Sequence, residues 1–248
     1  MSTGPNPSTR FAHPAAMYGS PWFLVIVALF VTSLITANLL AVKVLAFGPW
    51  VTDAGLLTFP IAYIVGDVLT EVYGYAAARR VIWLGFLCNA IAVGAIQLAG
   101  KLPAEGSWDG GVAWDRIFDA APRILVASFC AYLVGEFANS YVLARLKVAT
   151  NGRWLWTRTV GSTFVGQGLD TLIFVTIAFA GVFSGQVLWE MLYTGWLLKT
   201  AYEVVATPLT YLVVARLKAA EGLDAFDRDT DFNPIALGSA NYSGFRNG

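Results

Sequence analysis

Asp67 and Glu71 stand four residues apart in a stretch, Phe59 to Tyr75, that is otherwise apolar enough to lie in a membrane. Four residues is about one helical turn, so the two carboxyls share a face. A carboxylate at the centre of a hydrocarbon layer costs about 2.5–3.5 kcal/mol on insertion scales. A span carrying two of them needs a reason, and the usual one is a polar cavity that handles substrate or ions. Further along, Glu136, Gln167, Asp170, Lys199 and Glu203 fall near the middle of other apolar runs, with Asn38, Asn89 and Asn139 nearer the ends. Lys199 is the only midspan cation, set against Asp67, Glu71, Glu136, Asp170 and Glu203. It cannot pair with all of them. The remainder must be protonated, hydrated or matched by the donors of a ligand.

Each of these residues also has a plainer reading. Asparagines tie membrane helices together for about 0.6–2 kcal/mol. Lys199 and Glu203, four apart, can neutralise each other, although lysine ahead of glutamate is the poorer order. The excess of carboxyls tips the balance toward a binding cavity. Its expected members are Asp67, Glu71, Gln167, Asp170, Lys199 and Glu203, joined by Asn38 and Asn139. Pro208 removes a backbone hydrogen bond beside Glu203, which predicts a local break or kink there.

Other chemistry has little to work with. His13 is the single histidine, and Cys88 and Cys130 sit inside apolar runs without ligand spacing, so neither a metal centre nor a catalytic triad is expected. Gly100-Lys101 lacks the spacing and the hydroxyl residue of a phosphate loop. No cofactor and no catalytic residue are expected, and a membrane enzyme is a remote alternative.

The elements that position these groups are long apolar helices. Of 248 residues, 57% are hydrophobic and 13% charged, against about 25% charged in a soluble domain, and mean hydropathy is +0.62. Sixteen basic and sixteen acidic residues cancel, so nothing points to nucleic acid. The expected fold is all-α and polytopic, with six transmembrane helices. They run from Trp22 to Ala46, Gly55 to Tyr75, Arg80 to Gly100, Pro122 to Leu146, Thr157 to Gly181 and Gln186 to Arg216. A disordered tail (1–20) is expected before this six-helix transmembrane domain (21–218), and a polar tail (219–248) after it. The loop from Lys101 to Ala121 reads equally as a connector or as a short interfacial helix.

Arg79, Arg80, Arg145, Lys147, Arg153, Arg158, Arg216 and Lys218 mark one side, while Asp53 and the mostly acidic 101–119 segment mark the other. The positive-inside rule then puts both termini in the cytoplasm. Several tryptophans, Trp22, Trp50, Trp108, Trp114, Trp154, Trp156 and Trp189, fall near span ends, as an aromatic belt would. Ala37-Asn38 echoes Ala138-Asn139, and Val65-Gly66-Asp67 echoes Val165-Gly166-Gln167. With three spans in each half, such a repeat is inverted, with the site at its midplane interface.

The segments FPIAYIVGDVLTEVYGYAAARRVIWLGF (59–86), ANSYVLARLK (138–147), GSTFVGQGLDTLIF (161–174), KTAYEVVATPLTYLVV (199–214) and RDTDFNP (228–234) resemble the queuosine-precursor transporter family, also described as vitamin-uptake-transporter-like. The resemblance implies import of 7-deazaguanine bases, the nitrile and aminomethyl precursors of queuosine, across the bacterial inner membrane. It assigns no binding residue. The residue chemistry is compatible. A guanine-like edge presents two adjacent donors that one carboxylate can accept. Tyr63, Phe164, Trp196 and Tyr202 are within helical reach as a wall for the planar ring. The competing reading is a substrate-binding subunit of an energy-coupling-factor transporter, with Ala37 and Ala41 seating a partner helix. Oligomeric state and energy coupling stay open, a homodimer and proton coupling among the alternatives. The expected partners are a small nucleobase and membrane lipid.

Overall fold

A computed structural model describes residues 20–235, apart from 42, 48–49, 119–121, 182–183 and 228–229. The N-terminal tail through residue 19, with His13, and residues 236–248 lie outside the described residues, as does the side chain of Trp50. Helix α1 spans Pro21–Leu40. Ser20 caps it, accepting from the Trp22 and Phe23 amides, and Pro21 opens the first turn as a helix start favours. The helix stops at Leu40, short of the expected Ala46. Strands β1 (Val44–Phe47) and β2 (Trp50–Asp53) then form an antiparallel hairpin, Val44 opposite Asp53 and Phe47 opposite Trp50. The cause is in the sequence: Gly48-Pro49 is a turn dipeptide, and Val44, Val51 and Thr52 are strand formers. A 3-10 turn (Ala54–Leu57) leads into α2, Phe59–Tyr73.

At 15 residues, α2 is about 22 Å long, less than the roughly 30 Å of a bilayer core. It packs on α1, α3 (Tyr75–Lys101), α5 (Pro122–Ala149) and α7 (Gly185–Glu221). Every residue from Gly66 to Tyr73 is buried. A helix enclosed by protein needs no lipid-length apolar surface. Among the described residues, five helices are long and apolar enough to cross a membrane: α1, α3, α5 from Val126, α6 (Leu155–Phe179) and α7 from Leu188. Leu24, Leu87, Ile91, Val205 and Leu209 lie exposed on their outer faces, the surface a lipid environment requires. The 101–121 loop carries the short helix α4, Gly111–Phe118.

Only Gly74 separates α2 from α3. Its φ of 85° lies where side chains are disfavoured, and a Cβ there would meet the Cβ of Ala225 at 3.0 Å. Because α3 starts at Tyr75, Arg79 falls within the helix instead of in a connecting loop, and it is buried. Its Nη1 donates to the carbonyls of Asp231 (2.8 Å) and Asn233 (2.6 Å).

The chain after α7 therefore does not hang free. Ala225 N donates to Val72 O at 3.2 Å. The Asp227 carboxylate accepts from the Tyr75 amide at 3.0 and 3.1 Å, covering the α3 N-terminus. Trp83 Nε1 reaches Pro234 O at 2.7 Å. Residues 222–227 and 230–235 form a strap across the α2–α3 junction. Burial raises the Asp227 carboxyl above its usual range, with the Tyr75 amide pulling the other way. Burial also opposes ionisation of Asp224, but Lys147 and Lys218 outweigh it and hold that carboxyl below its usual range. At the same end of the bundle, Ser20 at the start of α1 donates to Glu221 at the end of α7. The rings of Phe23 and Tyr73 meet there at 5.0 Å.

Candidate functional site

The middle of the bundle is polar because glycines let its helices approach closely. Gly135 on α5 and Gly166 on α6 face each other: a Cβ on Gly135 would lie 3.0 Å from Gly166 O, and one on Gly166 would lie 2.7 Å from the Asn139 Cβ. The side chains beside these contacts are drawn into one buried cluster. Asn139 Nδ2 on α5 donates to Asp67 Oδ1 on α2 at 2.7 Å. Lys199 on α7 pairs with Asp170 on α6 at 2.5 Å, and its ammonium lies 4.6 Å from the centroid of the Phe59 ring. Glu203 on α7 brings a further buried carboxyl into the neighbourhood of Asp67. Glu136 stands close enough to Asp170 and Glu203 to feel their charge. Tyr63 is close to Asp170, Glu136 and Asp67. Asp67, Glu136, Asn139, Gln167, Asp170 and Glu203 are all at most 4% exposed, so the protein has withdrawn them from water.

Glu71 lies elsewhere. One turn beyond Asp67, its Oε1 accepts from Arg158 Nη2 and from Lys218 Nζ, each at 2.7 Å, with Lys147 Nζ at 3.5 Å. Lys147 also donates to the Glu71 carbonyl at 2.5 Å and to Asp224 at 2.7 Å. The expectation that Glu71 faces Gln167 and Asp170 gives way to a cationic nest at the Gly74 end of α2. Lys199 is thus not the only cation available to the expected set. Arg158, Lys147 and Lys218 come to Glu71 from the ends of α6, α5 and α7. Asn38 on α1 is buried, and its Nδ2 has no acceptor among the described residues.

Of the four wall candidates, Tyr63 is buried, whereas Phe164 and Tyr202 are 49% and 42% exposed. Trp196 packs on Phe164 at 4.5 Å and donates to its carbonyl. The expected break at Pro208 is not formed: α7 is continuous from Gly185 to Glu221 with Pro208 inside.

The cluster is short of donors. Asp67 Oδ2, both oxygens of Glu136, Asn139 Oδ1, Gln167 Oε1 and Glu203 Oε1 are buried acceptors without a donor among the described residues. Each such atom costs about 1–3 kcal/mol if nothing satisfies it. Lys199, the one cation beside the cluster among the described residues, is taken by Asp170. The chemistry such a cluster fits is a ligand rich in N–H groups, planar or cationic.

The sequence matches a family profile described as "Putative vitamin uptake transporter" over residues 53–213, a stretch that contains all of this cluster but neither Asn38 nor the strap. It is 29% identical over 178 residues to the "Probable queuosine precursor transporter" of Bacillus subtilis (strain 168), covering 71% of this chain and 78% of that one. It is 32% identical over 143 residues to the "Queuosine precursor transporter" of Escherichia coli (strain K12), covering 56% of this chain and 59% of that one. A third relative, from Haemophilus influenzae, is 30% identical over 125 residues and carries the name "Probable queuosine precursor transporter". No solved structure matches the chain significantly.

Proposed function

The chain belongs to the vitamin uptake transporter family, and on that footing we propose that it imports queuosine precursors, 7-deazaguanine bases, across the bacterial inner membrane. The observation that carries the substrate class is the acceptor-rich cluster around Asp67, Glu136 and Glu203. A 7-deazaguanine edge offers a ring N–H and an exocyclic amine side by side, and the aminomethyl precursor adds a cation. Asp67, Asn139, Gln167, Asp170, Lys199 and Glu203 form the substrate site in this reading, with Asn38 at its α1 side. Glu71 serves as a brace. The surplus of carboxyls over cations in the cluster supports coupling to protons.

Six crossings follow in this reading because α2 counts as one. Ser20 and Glu221 meet, so both ends of the bundle lie on one side. A chain that starts and finishes on one side crosses an even number of times, and the five long helices then require α2 as the sixth. The basic residues gathered on that side support a cytoplasmic assignment for both termini. The paired motifs Val65-Gly66-Asp67 and Val165-Gly166-Gln167 support an inverted repeat of α1–α3 and α5–α7. Against the energy-coupling-factor alternative, Ala37 is buried within the bundle and is not available to seat a partner helix.

The test is made in cells that neither synthesise nor import the precursors. Expression of this chain should restore queuosine to their tRNA when a precursor is supplied at low concentration. Restoration that depends on a co-expressed ATPase complex would favour the coupling-factor reading, and no restoration would refute import.

A further inference from the structure

Glu136 on α5 was legible as a midspan carboxyl but had no place among the expected binding residues. We infer that it is the specificity-determining residue of the transport site: the carboxylate that accepts the ring N–H and exocyclic amine of a 2-amino-pyrimidone edge together. The inference rests on the transport reading and goes beyond it by assigning one edge of the base to one residue.

The assignment follows from what the other buried carboxyls already hold. Glu71 accepts from Arg158 and Lys218. Asp170 holds Lys199. Asp67 takes the Asn139 amide on Oδ1, and only one oxygen of Glu203 is fully buried without a partner. Glu136, at 0% exposed, has no donor on either oxygen among the described residues. A bidentate contact needs both oxygens of one carboxyl unengaged, as in a carboxylate facing the fork of an arginine. Among the described carboxyls, Glu136 is the one with both oxygens fully buried and without a hydrogen-bond partner.

Its placement is built rather than accidental. A Cβ on Gly66 would come within 2.1 Å of Glu136 Oε1 and 3.5 Å of Oε2. The carboxyl is therefore seated against α2 in the space that a glycine leaves. The buried hydroxyls of Tyr63 and Tyr132, also without hydrogen-bond partners among the described residues, are in its neighbourhood. Between them the rings and the carboxyl offer an apolar wall with one two-acceptor edge, which is how a planar donor pair is told from its analogues.

The test is a comparison of two ligands on three proteins. Binding of the nitrile 7-deazaguanine base and of the same base without its exocyclic amine is measured on the full-length parent, on Glu136→Gln and on Gly66→Ala, each shown to be monodisperse. The parent should prefer the amine-bearing base by about tenfold or more. Glu136→Gln, which turns one acceptor into a donor, should bind both bases weakly and without preference. Gly66→Ala, whose added carbon displaces the carboxyl, should lose the same preference. Glu136→Asp, which withdraws the oxygens by one methylene, replaces Glu136→Gln if that variant does not fold and should likewise lose it. A Glu136→Gln or Glu136→Asp protein that keeps the parental preference overturns the assignment while leaving the transport reading intact. A parent that binds neither base overturns both.

Discussion

Replacing Glu71 with glutamine separates a brace from a binding residue. In the structure Arg158 Nη2 and Lys218 Nζ each lie 2.7 Å from Glu71 Oε1, and the side chains of Arg158 and Glu71 are only 2% and 1% exposed. Removing one partner of a buried pair costs about 3–5 kcal/mol, because the other charge stays buried without its counter-ion. The lower end applies here. Lys147 keeps Asp224 at 2.7 Å, and Lys218 is 24% exposed and can turn to water, so Arg158 bears most of the loss. About 3 kcal/mol in a chain of this size is roughly 6–12 °C in melting temperature. The assay is thermal unfolding of the purified protein in one detergent, beside precursor binding measured below the melt. Glu71→Gln should melt lower by that margin and bind with parental affinity. A variant that melts like the parent and has lost binding would refute the argument and return Glu71 to the substrate site.

Gly74→Ala should destabilise by about 1–3 kcal/mol, since φ of 85° disfavours a side chain and the new Cβ would press on Ala225; the same melt reads it. Arg79→Ala removes the donor to Asp231 and Asn233 and should loosen the strap, seen as faster proteolytic loss of residues after Gly222. Asp224 is held below the usual carboxyl range by Lys147 and Lys218 against its burial. Its contribution is thus fully present above the unfolded pKa of about 4 and is lost as the pH falls through the lowered folded value; Asp224→Asn should flatten that part of the acid melting profile. A cysteine at Ser107 should label from outside intact cells and one at Asn151 should not, and the reverse pattern would contradict the orientation.

Composition and charge alternation made the helical membrane architecture legible, and α3, α5, α6 and α7 lie close to where the long apolar runs put them. The polar residues of the cluster were legible too, because a charge in a long apolar run stands out whatever surrounds it. Partners were not legible. Glu71 and Glu136 look alike in sequence, each without a basic residue within one turn. What distinguishes them is that α5, α6 and α7 end beside Glu71 and bring Lys147, Arg158 and Lys218 to it, a property of helix packing. The hairpin at 44–53 was missed although Gly48-Pro49 announced a turn, because hydropathy alone extends a span through Val44, Leu45 and Ala46. The strap was missed for the opposite reason. Residues 222–235 are polar and read as solvated, yet Asp227, Asp231 and Asn233 spend their polar groups on Tyr75 and Arg79.

Uptake of a radiolabelled 7-deazaguanine precursor into liposomes that contain this chain alone, with no ATPase present, tests the central claim most directly. The account predicts entry well above that of protein-free liposomes, inhibited by the unlabelled base, responsive to an imposed pH gradient and lost in Glu136→Gln. Entry no faster than through protein-free liposomes, with folded protein in the membrane, would contradict it.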